Sequence, residues 1–501
     1  MLKKLPFYPI LCAVFSILSL AAHNVEEISL VVLLRPLAAA TILSILLFWL
    51  AQRFLREWHR AALATLAITF FFFVYGHVYN LLEDLTIANI SVFRHRTLLP
   101  LFGILLLVQL YLIARHLDQP VKYTLLFNTL SILLLLYPTS KIGFSVLQHL
   151  STDRAVQVAH KDLAPAGRQQ PDIYYIILDA YGREDIFRGF LRYDNHDFVT
   201  ALRQRGFYVA DCSQSNYAYT DFSLTSALNY EYLDTLSVSH SRADRVALLK
   251  HGSVRTFLEA NGYKTIAFPT GWPFTEWKDA DLYLDFDRPL TSLSEFETLI
   301  LNTTLLRALN DSVSTGTLQA THKDLRRLRV LSLLDKIKQL PNMDGDLFVF
   351  AHIVVPHLPY TFGPNGEVPV YDGKTATYEQ TRNAYIGQVE FINSEILKVV
   401  DALMENSETP PVIIIQGDHG PLPDIAEGYP ERMAILNAYY FPGMQLDEIL
   451  YPSISPVNTF RVVLNTYFGQ ELPLLEDRSY FAPEKDRSAV QLVPNTYSCE
   501  P

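Results

Sequence analysis

The first 140 residues contain five long apolar stretches, separated by short polar segments. By hydropathy they cover residues 5–22, 29–51, 61–82, 97–114 and 123–139. Each has roughly the length that a helix needs to cross a bilayer core, about 20 residues. Lys3 and Lys4 before the first stretch also fit a signal peptide, but four further stretches follow, which favours a retained first helix. The pattern predicts an all-α transmembrane domain of five helices over residues 1–140.

Basic residues indicate how these helices are oriented. They cluster before the first helix and in the second and fourth loops: Lys3, Lys4, Arg53, Arg56, Arg60, Arg115 and Lys122. The first loop carries Glu26 and Glu27 instead, and the third loop is mixed. Short loops rich in Lys and Arg stay on the cytoplasmic side of a membrane. Five crossings then place everything after residue 139 on the far side.

After a predicted linker at residues 141–170, short runs rich in β-branched residues alternate with helical patterns. Strands are predicted at residues 173–178, 207–209, 264–268, 347–351, 412–416 and 438–441. The longest helix, at residues 378–404, repeats its apolar positions at spacings of three and four, which is the pattern of a helix that covers a sheet. This alternation predicts a three-layer α/β domain with a mostly parallel sheet over residues 171–501.

Charge and cysteine content narrow the possible partners and the compartment. The formal net charge of −11 argues against a general nucleic-acid binder. Of the three cysteines, Cys12 lies in an apolar stretch, whereas Cys212 and Cys499 lie in the second domain. Because that domain is predicted to face an oxidising compartment, we predict a disulfide between these two residues. Closing so long a loop would stabilise the fold by about 4 kcal/mol.

Polar residues with metal-binding chemistry follow three of the predicted strands. They are Asp179 in the segment 171–183, His352 and His357 in the segment 348–360, and Asp418 with His419 in the segment 412–421. Ligands of open α/β sheets bind beyond the carboxyl ends of the strands, so these side chains are expected to converge. Oxygen and nitrogen donors together suit Zn²⁺ or Mn²⁺ better than a soft metal ion.

The order Asp179, Thr220, the two histidines and then Asp418–His419 resembles the sulfatase-like branch of the alkaline phosphatase superfamily over most of residues 171–470. Together with the membrane helices, the chain is similar to lipoteichoic acid synthases and lipid A phosphoethanolamine transferases. The resemblance implies an N-terminal helical bundle followed by an α/β three-layer sandwich of alkaline phosphatase/sulfatase type. It also implies one divalent metal ion held by Asp179, Thr220, Asp418 and His419.

The resemblance places the nucleophile at Thr220. Taken alone, this residue before a helix-like run fits an ordinary helix N-cap, and Ser223 is the alternative nucleophile. His357 is expected to contact the transferred group or to protonate the leaving oxygen, because the resemblance is strongest over residues 356–359. His352 and Arg35 are expected to bind the substrate. Arg35, at the start of the second predicted helix, also fits a side chain that snorkels to the interface.

Three departures from the family patterns refine the expected chemistry. The segment around Thr220 lacks the Cys-x-Pro-Ser-Arg sequence of formylglycine sulfatases, which disfavours sulfate-ester hydrolysis of that type. The synthase-like relatives carry Glu at the place of Asp179. The Asp-x-x-x-His trio of two-metal members is not found, which favours one metal ion.

These observations predict a membrane-anchored, metal-dependent phosphotransferase or phosphodiesterase that acts on an envelope lipid or glycan. It would lie in the bacterial inner membrane, with its catalytic domain on the periplasmic or extracellular side. Two alternatives stay open. One is a hydrolase of soluble phosphate or sulfate esters that uses the membrane domain only as an anchor. The other is a catalytically inactive binding or sensing protein.

Overall fold

A computed structural model describes the chain except for residues 1–4, 26–27, 29, 84, 88–89, 157–169, 237–241, 288–292, 313–316, 374, 422–427, 484–486, 488–489, 496–498 and 500–501. The chain forms two compact units. The first, here called the membrane unit, comprises Met1–Gln148 and Arg288–Lys323. The second, the catalytic unit, comprises His149–Asp287 and Asp324–Pro501.

Helices and strands are numbered in chain order. The helices are α1 (Tyr8–His23), α2 (Leu34–Leu55), α3 (Trp58–Leu82), α4 (His95–Arg115), α5 (Val121–Val156), α6 (Glu184–Gly189), α7 (His196–Gln204), α8 (Thr220–Leu228), α9 (Arg242–Lys250), α10 (Ser253–Ala260), α11 (Glu295–Thr303), α12 (Leu306–Ser312), α13 (Thr317–Ile337), α14 (Tyr378–Asn406), α15 (Tyr429–Met433), α16 (Leu446–Ile449) and α17 (Pro456–Phe468). The strands are β1 (Thr86–Ile87), β2 (Ile90–Ser91), β3 (Ile173–Leu178), β4 (Tyr208–Val209), β5 (Lys264–Ala267), β6 (Leu282–Tyr283), β7 (Leu347–Ile353), β8 (Val412–Gly417), β9 (Asn437–Tyr440), β10 (Ser479–Phe481) and β11 (Gln491–Val493).

Apolar helices α1 to α5 make up most of the membrane unit. Four of them, α2 to α5, are long and apolar enough to cross a membrane, and α1 is a shorter apolar helix of 16 residues. The predicted bundle is therefore present, with a first helix shorter than the usual span of about 20 residues. Helix α5 continues to Val156, so residues 141–156 of the predicted linker are helical. Residues 157–169 of that linker lie outside the described part of the chain.

A segment from the second half of the chain also belongs to the membrane unit. The sequence pattern assigned residues 288–323 to the catalytic domain, whereas helices α11 and α12 of this segment pack with the membrane helices. Polar pairs hold α12: Arg307 bonds to Glu83 at 2.8 Å, and Asp311 lies 2.9 Å from His95. Such pairs between distant residues leave no periodic signal, which is why hydropathy did not reveal this packing.

The catalytic unit contains a seven-stranded sheet in the order β4-β9-β8-β3-β7-β5-β6. Strand β3 lies at its centre and pairs in parallel with both β8 and β7, whereas β9 pairs antiparallel with both of its neighbours, β8 and β4. The register aligns Leu178 with Gly417 on one side and with Ile353 on the other. The residues that follow β3 and β8 therefore emerge side by side at one edge of the sheet.

Helices cover both faces of this sheet. Alternate residues of β3 enter two separate cores: Ile176 packs with Val389 and Ile392 of α14, and Tyr175 packs with Leu224 of α8 and Phe460 of α17. All six side chains of β3 are buried, as expected for a parallel strand with helices on both faces. The three-layer α/β architecture is confirmed.

The predicted disulfide is present in the catalytic unit. Cys212 and Cys499 are bridged, with their Cα atoms 5.3 Å apart and a sequence separation of 287. Asn495, four residues earlier, donates a hydrogen bond to the carbonyl of Cys212 at 2.6 Å. The bridge and this bond hold the C-terminal residues against the segment that leads to Thr220.

Gly76 allows α11 to approach α3 closely, and this yields a testable prediction. A Cβ atom at Gly76 would lie 2.3 Å from the backbone carbonyl carbon of Thr303. This distance is a steric clash, so backbone atoms would have to move. We expect Gly76→Ala to destabilise the membrane unit by about 1–3 kcal/mol, measured as a lower thermal midpoint in detergent. Gly103→Ala on α4 is the matched control, because its Cβ would meet nothing within 4 Å. Equal effects of the two variants would contradict the prediction.

The number of crossings decides on which side the catalytic unit lies, and we predict five. Reporter fusions at Arg56 and after Arg168 should then give opposite sides of the membrane, with Arg56 in the cytoplasm. Three helices, α3 to α5, separate the two positions, so the same side for both fusions would contradict the predicted topology.

Candidate metal centre

Two buried carboxylates lie next to each other where β3 and β8 end. Asp418 Oδ1 accepts hydrogen bonds from the backbone N–H groups of Ala180 at 3.1 Å and His419 at 2.9 Å. Its other oxygen, Oδ2, has no hydrogen-bond partner among the described residues, and neither does Asp179 Oδ1. Burial, followed by the charge of Asp418, raises the pKa of Asp179 well above its usual range. A cation at this position would satisfy both unpaired oxygens.

The Nε2 atom of His419 lies near the same two unpaired carboxylate oxygens. Its Nδ1 lies 2.9 Å from the carbonyl oxygen of Gly420, which can only accept, so Nδ1 carries the proton and Nε2 a lone pair. Nε2 lies 3.3 Å from Asp418 Oδ2 and 3.8 Å from Asp179 Oδ1. Burial and then the Arg432 guanidinium lower the pKa of His419 well below its usual range, which keeps the ring neutral. Neutral imidazole is the form that binds metal ions.

Thr220 lies in the first turn of α8 and provides a fourth donor atom. Its Oγ1 is 3.3 Å from His419 Nε2, and the side chain is buried. The alternative nucleophile, Ser223, is one turn further along, and its hydroxyl lies 3.1 Å from that of Ser215. Of these two hydroxyls, that of Thr220 is the one that contacts His419.

The spacing of these donors can be compared with the requirements of a metal ion. Donor atoms about 2.0–2.2 Å from a tetrahedral zinc ion are about 3.3–3.6 Å from one another. The distances from His419 Nε2 to Thr220 Oγ1, Asp418 Oδ2 and Asp179 Oδ1 are 3.3, 3.3 and 3.8 Å. The two unpaired carboxylate oxygens and the imidazole lone pair therefore fit one divalent cation at the place where the sequence predicted it.

His352 lies behind Asp179. Its ring is buried at the end of β7, and Nε2 is 3.0 Å from Asp179 Oδ2, the oxygen that faces away from His419. Burial lowers the pKa of His352 to about 4. Ligand atoms of Asp179, His352 and Asp418 all lie within 4.8 Å of one another. The sequence predicted a substrate contact for His352, whereas its burial and its bond to Asp179 support a role in positioning that carboxylate.

His357 occupies the turn after β7. Its backbone N–H donates to the carbonyl of Asp179 at 3.0 Å, which connects this turn to the end of β3. Its Nδ1 donates to the carbonyl of Leu358 at 2.6 Å, and its ring packs edge-on against Trp272 with the centroids 4.7 Å apart. Desolvation and then the Arg326 guanidinium lower the pKa of His357 well below its usual range. The ring is therefore neutral, with Nε2 as a proton acceptor.

Two buried arginines were missed by the sequence analysis. Arg432 on α15 donates to the carbonyl of Ala218 at 3.0 Å and to that of Gly420 at 3.3 Å, which joins the Thr220 segment to the His419 segment. Arg326 on α13 donates to the carbonyl of His357 at 2.8 Å. Both guanidinium groups partly oppose the rise in the pKa of Asp179 that burial and the charge of Asp418 cause. An arginine within a helix has no distinctive sequence pattern, so neither role could be recognised in advance.

Arg35, the second residue predicted to bind substrate, belongs to the membrane unit. Its guanidinium makes a two-point contact with the Glu297 carboxylate of α11, at 2.8 Å and 2.6 Å. The side chain of Arg35 is 58% exposed, so one face of the guanidinium faces the surroundings. The structure thus gives Arg35 a protein partner that the sequence did not predict.

Comparisons with known proteins place these observations in a family. The family model described as "Sulfatase" matches residues 171–447. Among solved structures, the chain is similar to the zinc complex of the periplasmic domain of EptC from Escherichia coli. The identity is 12% over 66% of this chain and 96% of that chain, with a TM-score of 0.45.

It is also similar to the integral membrane protein lipooligosaccharide phosphoethanolamine transferase A from Neisseria meningitidis, with 14% identity over 92% of this chain and 94% of that chain and a TM-score of 0.41. No match is found among curated proteins. The sulfatase-like relationship predicted from the motifs is confirmed by the family model, which covers more than half of the chain. The chain belongs to the sulfatase family.

Proposed function

We propose that this protein is a membrane-anchored, metal-dependent phosphotransferase or phosphodiesterase that acts on an envelope lipid or glycan. The donors are Asp179, Thr220, Asp418 and His419, and the ion is Zn²⁺ or Mn²⁺ because the set mixes oxygen with nitrogen. The observation that supports the proposal most directly is the position of the Thr220 hydroxyl, 3.3 Å from His419 Nε2 and beside two unpaired carboxylate oxygens.

The chain's own residues define the first half of the reaction. A divalent cation held by Asp179, Asp418 and His419 would supply the charge that lowers the pKa of the Thr220 hydroxyl and neutralises a phosphate oxygen. Thr220 Oγ1, having lost its proton to water, forms a bond to phosphorus while the ester P–O bond of the donor breaks. The departing alkoxide takes a proton from solvent. The product of this half is a phosphorylated Thr220.

In the second half, the hydroxyl of an acceptor, or of water, attacks the same phosphorus atom. The bond between phosphorus and Thr220 Oγ1 breaks, and the attacking hydroxyl gives up its proton. We assign the acceptance of this proton to His357, because its Nδ1–H is committed to the carbonyl of Leu358, which leaves the lone pair on Nε2. Transfer and hydrolysis differ only in whether the acceptor is an alcohol or water.

The substrate class follows from the nucleophile and from the membrane unit. A threonine at position 220 favours phosphate esters over the sulfate esters of formylglycine enzymes. Helices α2 to α5 can hold the catalytic unit at a membrane, where lipid substrates are concentrated. We infer that the catalytic unit lies on the periplasmic or extracellular side of a bacterial inner membrane. In this proposal the exposed face of Arg35 contributes to binding of the lipid headgroup.

The nucleophile is tested by substitution of Thr220. We expect Thr220→Ala to lower phosphodiester turnover by at least about 10³-fold, because the atom that bonds to phosphorus is gone, while the fold is kept. Thr220→Ser should retain part of the rate, since a hydroxyl remains. Turnover of a fluorescent phospholipid and of a soluble nitrophenyl phosphodiester by the full-length protein, with mass spectrometry for phosphothreonine, provides the measurement.

Ser223→Ala is the matched control on the same helix, and we expect it to keep most of the activity. Wild-type turnover by Thr220→Ala would show that the nucleophile is a different residue. Turnover of the soluble ester alone would favour the anchored hydrolase. No turnover of either ester by the metal-loaded wild-type protein would favour a binding or sensing role.

The metal site gives a second prediction. Asp418→Asn and His419→Ala should each lower the bound zinc or manganese at least about tenfold and lose activity in parallel, because each removes a charge or a lone pair from the site. Elemental analysis of the purified full-length protein measures the metal content. Asp401→Asn is the control, because that carboxylate pairs with Arg205 on the surface, at 2.6 Å, and should keep both metal and activity. Unchanged metal content in the Asp418 and His419 variants would contradict the assignment.

A further inference from the structure

The membrane unit contains a cavity of about 450 Å³ that the proposed reaction does not use. Its wall is formed by the C-terminal half of α1, from Phe15 to His23, by Phe73 to His77 of α3, by Tyr137 of α5, and by the end of α11. Sites for small molecules are typically clefts of this size, with apolar walls and a few polar groups. The cavity is therefore large enough to hold part of a ligand.

The lining of the cavity changes from apolar to polar along α1 and α3. Phe15 and Phe73 lie at one end, and His23 and His77 lie at the other. His23 is the last residue of α1, and His77 follows Trp58 by 19 positions, which corresponds to a rise of about 28 Å along α3. This rise is close to the thickness of the hydrocarbon core, about 30 Å. The two imidazoles therefore lie at the level of the lipid headgroups, whereas the apolar end lies within the bilayer.

The two histidines have no assigned role within the protein. Within the described part of the chain, no hydrogen bond or ion pair is formed by the side chain of His23 or His77, and both residues are exposed. The hydroxyl-bearing residues Thr303 and Thr304 of the α11 end line the same cavity. Because these two hydroxyls donate to backbone carbonyls of α11, the imidazole N–H groups are the suitable donors to a phosphate oxygen at headgroup level.

The close contact of α11 with α3 gives this cavity a fixed wall. The backbone of Thr303 lies against Gly76, one position before His77. Ile300, one turn earlier in α11, also lines the cavity. The polar mouth is thus built from α1, α3 and α11 together, in contrast to the exposed surfaces of α2 and α4, which carry continuous apolar side chains.

We propose that this cavity binds one glycerophospholipid of the outer leaflet, with its phosphate at His23 and His77 and an acyl chain between α1 and α3. The inference is independent of the proposed reaction, because the cavity lies entirely within the membrane unit and involves none of the metal donors; only the choice of the outer leaflet rests on the proposed orientation. The bound lipid would be retained with the protein when the surrounding lipids exchange.

The test uses full-length protein in nanodiscs of phosphatidylethanolamine and phosphatidylglycerol with a trace of phospholipid that carries a photoactivatable acyl chain. We expect crosslinks to concentrate on peptides that contain residues 15–20, 73–77 and 300–304. Val74→Trp, which fills the cavity, should lower this labelling at least about fivefold. The control Leu46→Trp, at a position of α2 that is 51% exposed, should not change it. Labelling that is uniform over α2 and α4, or unaffected by Val74→Trp, would overturn the proposal.

A second measurement covers the case in which Val74→Trp fails to fold. Lipid that remains bound after detergent exchange is counted by native mass spectrometry for the wild type, His77→Ala and His116→Ala. His77→Ala removes a donor to a charged phosphate and should weaken retention about tenfold. His116→Ala, at the opposite end of the bundle, should leave retention unchanged. Equal retention in all three proteins would refute a phosphate contact at His77. Displacement of the lipid by free glycerophosphoethanolamine, which has no acyl chain, would overturn the part of the proposal that places an acyl chain between α1 and α3.

Discussion

The repulsion between two buried carboxylates is the constraint on which the catalytic unit is built. Asp179 and Asp418 both have side chains with 0% exposure, and water cannot screen their charges. A buried charge without a partner costs several kcal/mol, so the surrounding residues must provide compensation. Two backbone N–H groups bond to Asp418, and the ring of His352 bonds to Asp179. The charges of Arg432 and Arg326 also favour the ionised form of Asp179. The oxygens that stay unpaired are the two that face His419.

The fold satisfies this constraint through strand order. Asp179 and Asp418 are more than two hundred residues apart in sequence, yet they become neighbours because β3 and β8 are adjacent parallel strands in register. Ala180 has a left-handed backbone with φ of 66°, which turns its N–H towards Asp418 Oδ1. Backbone strain of this kind typically accumulates at functional sites. The rest of the sheet, including the antiparallel strand β9 beside β8, holds this one edge rigid.

Much of this arrangement could be predicted from the sequence, because short buried strands and long amphipathic helices leave clear periodic patterns. The central strand β3 has the predicted bounds, and the residues that follow β3 and β8 converge as expected. Strand β6, with two residues, is too short for any period to show. The packing of α11 and α12 with the membrane helices was not predicted either. It depends on Gly76 and on pairs such as Arg307 with Glu83, which are contacts in space without a local pattern.

If the catalytic unit lies outside the cytoplasm, as proposed, the disulfide would link the maturation of this unit to export. Cys499 is made 287 residues after Cys212, so both thiols would meet an oxidant only after the segment between them has been translocated. Until then, nothing covalent holds the tail, including Asn495, whose side-chain oxygen accepts a bond from Arg183 at 3.3 Å. Arg183 follows Asp179 by four residues and also donates to the carbonyl of Ser213 at 3.0 Å. A copy that stayed in the reducing cytoplasm would therefore carry the metal donors without the disulfide that holds Asn495 beside Arg183. Full assembly would be confined to molecules that have been secreted.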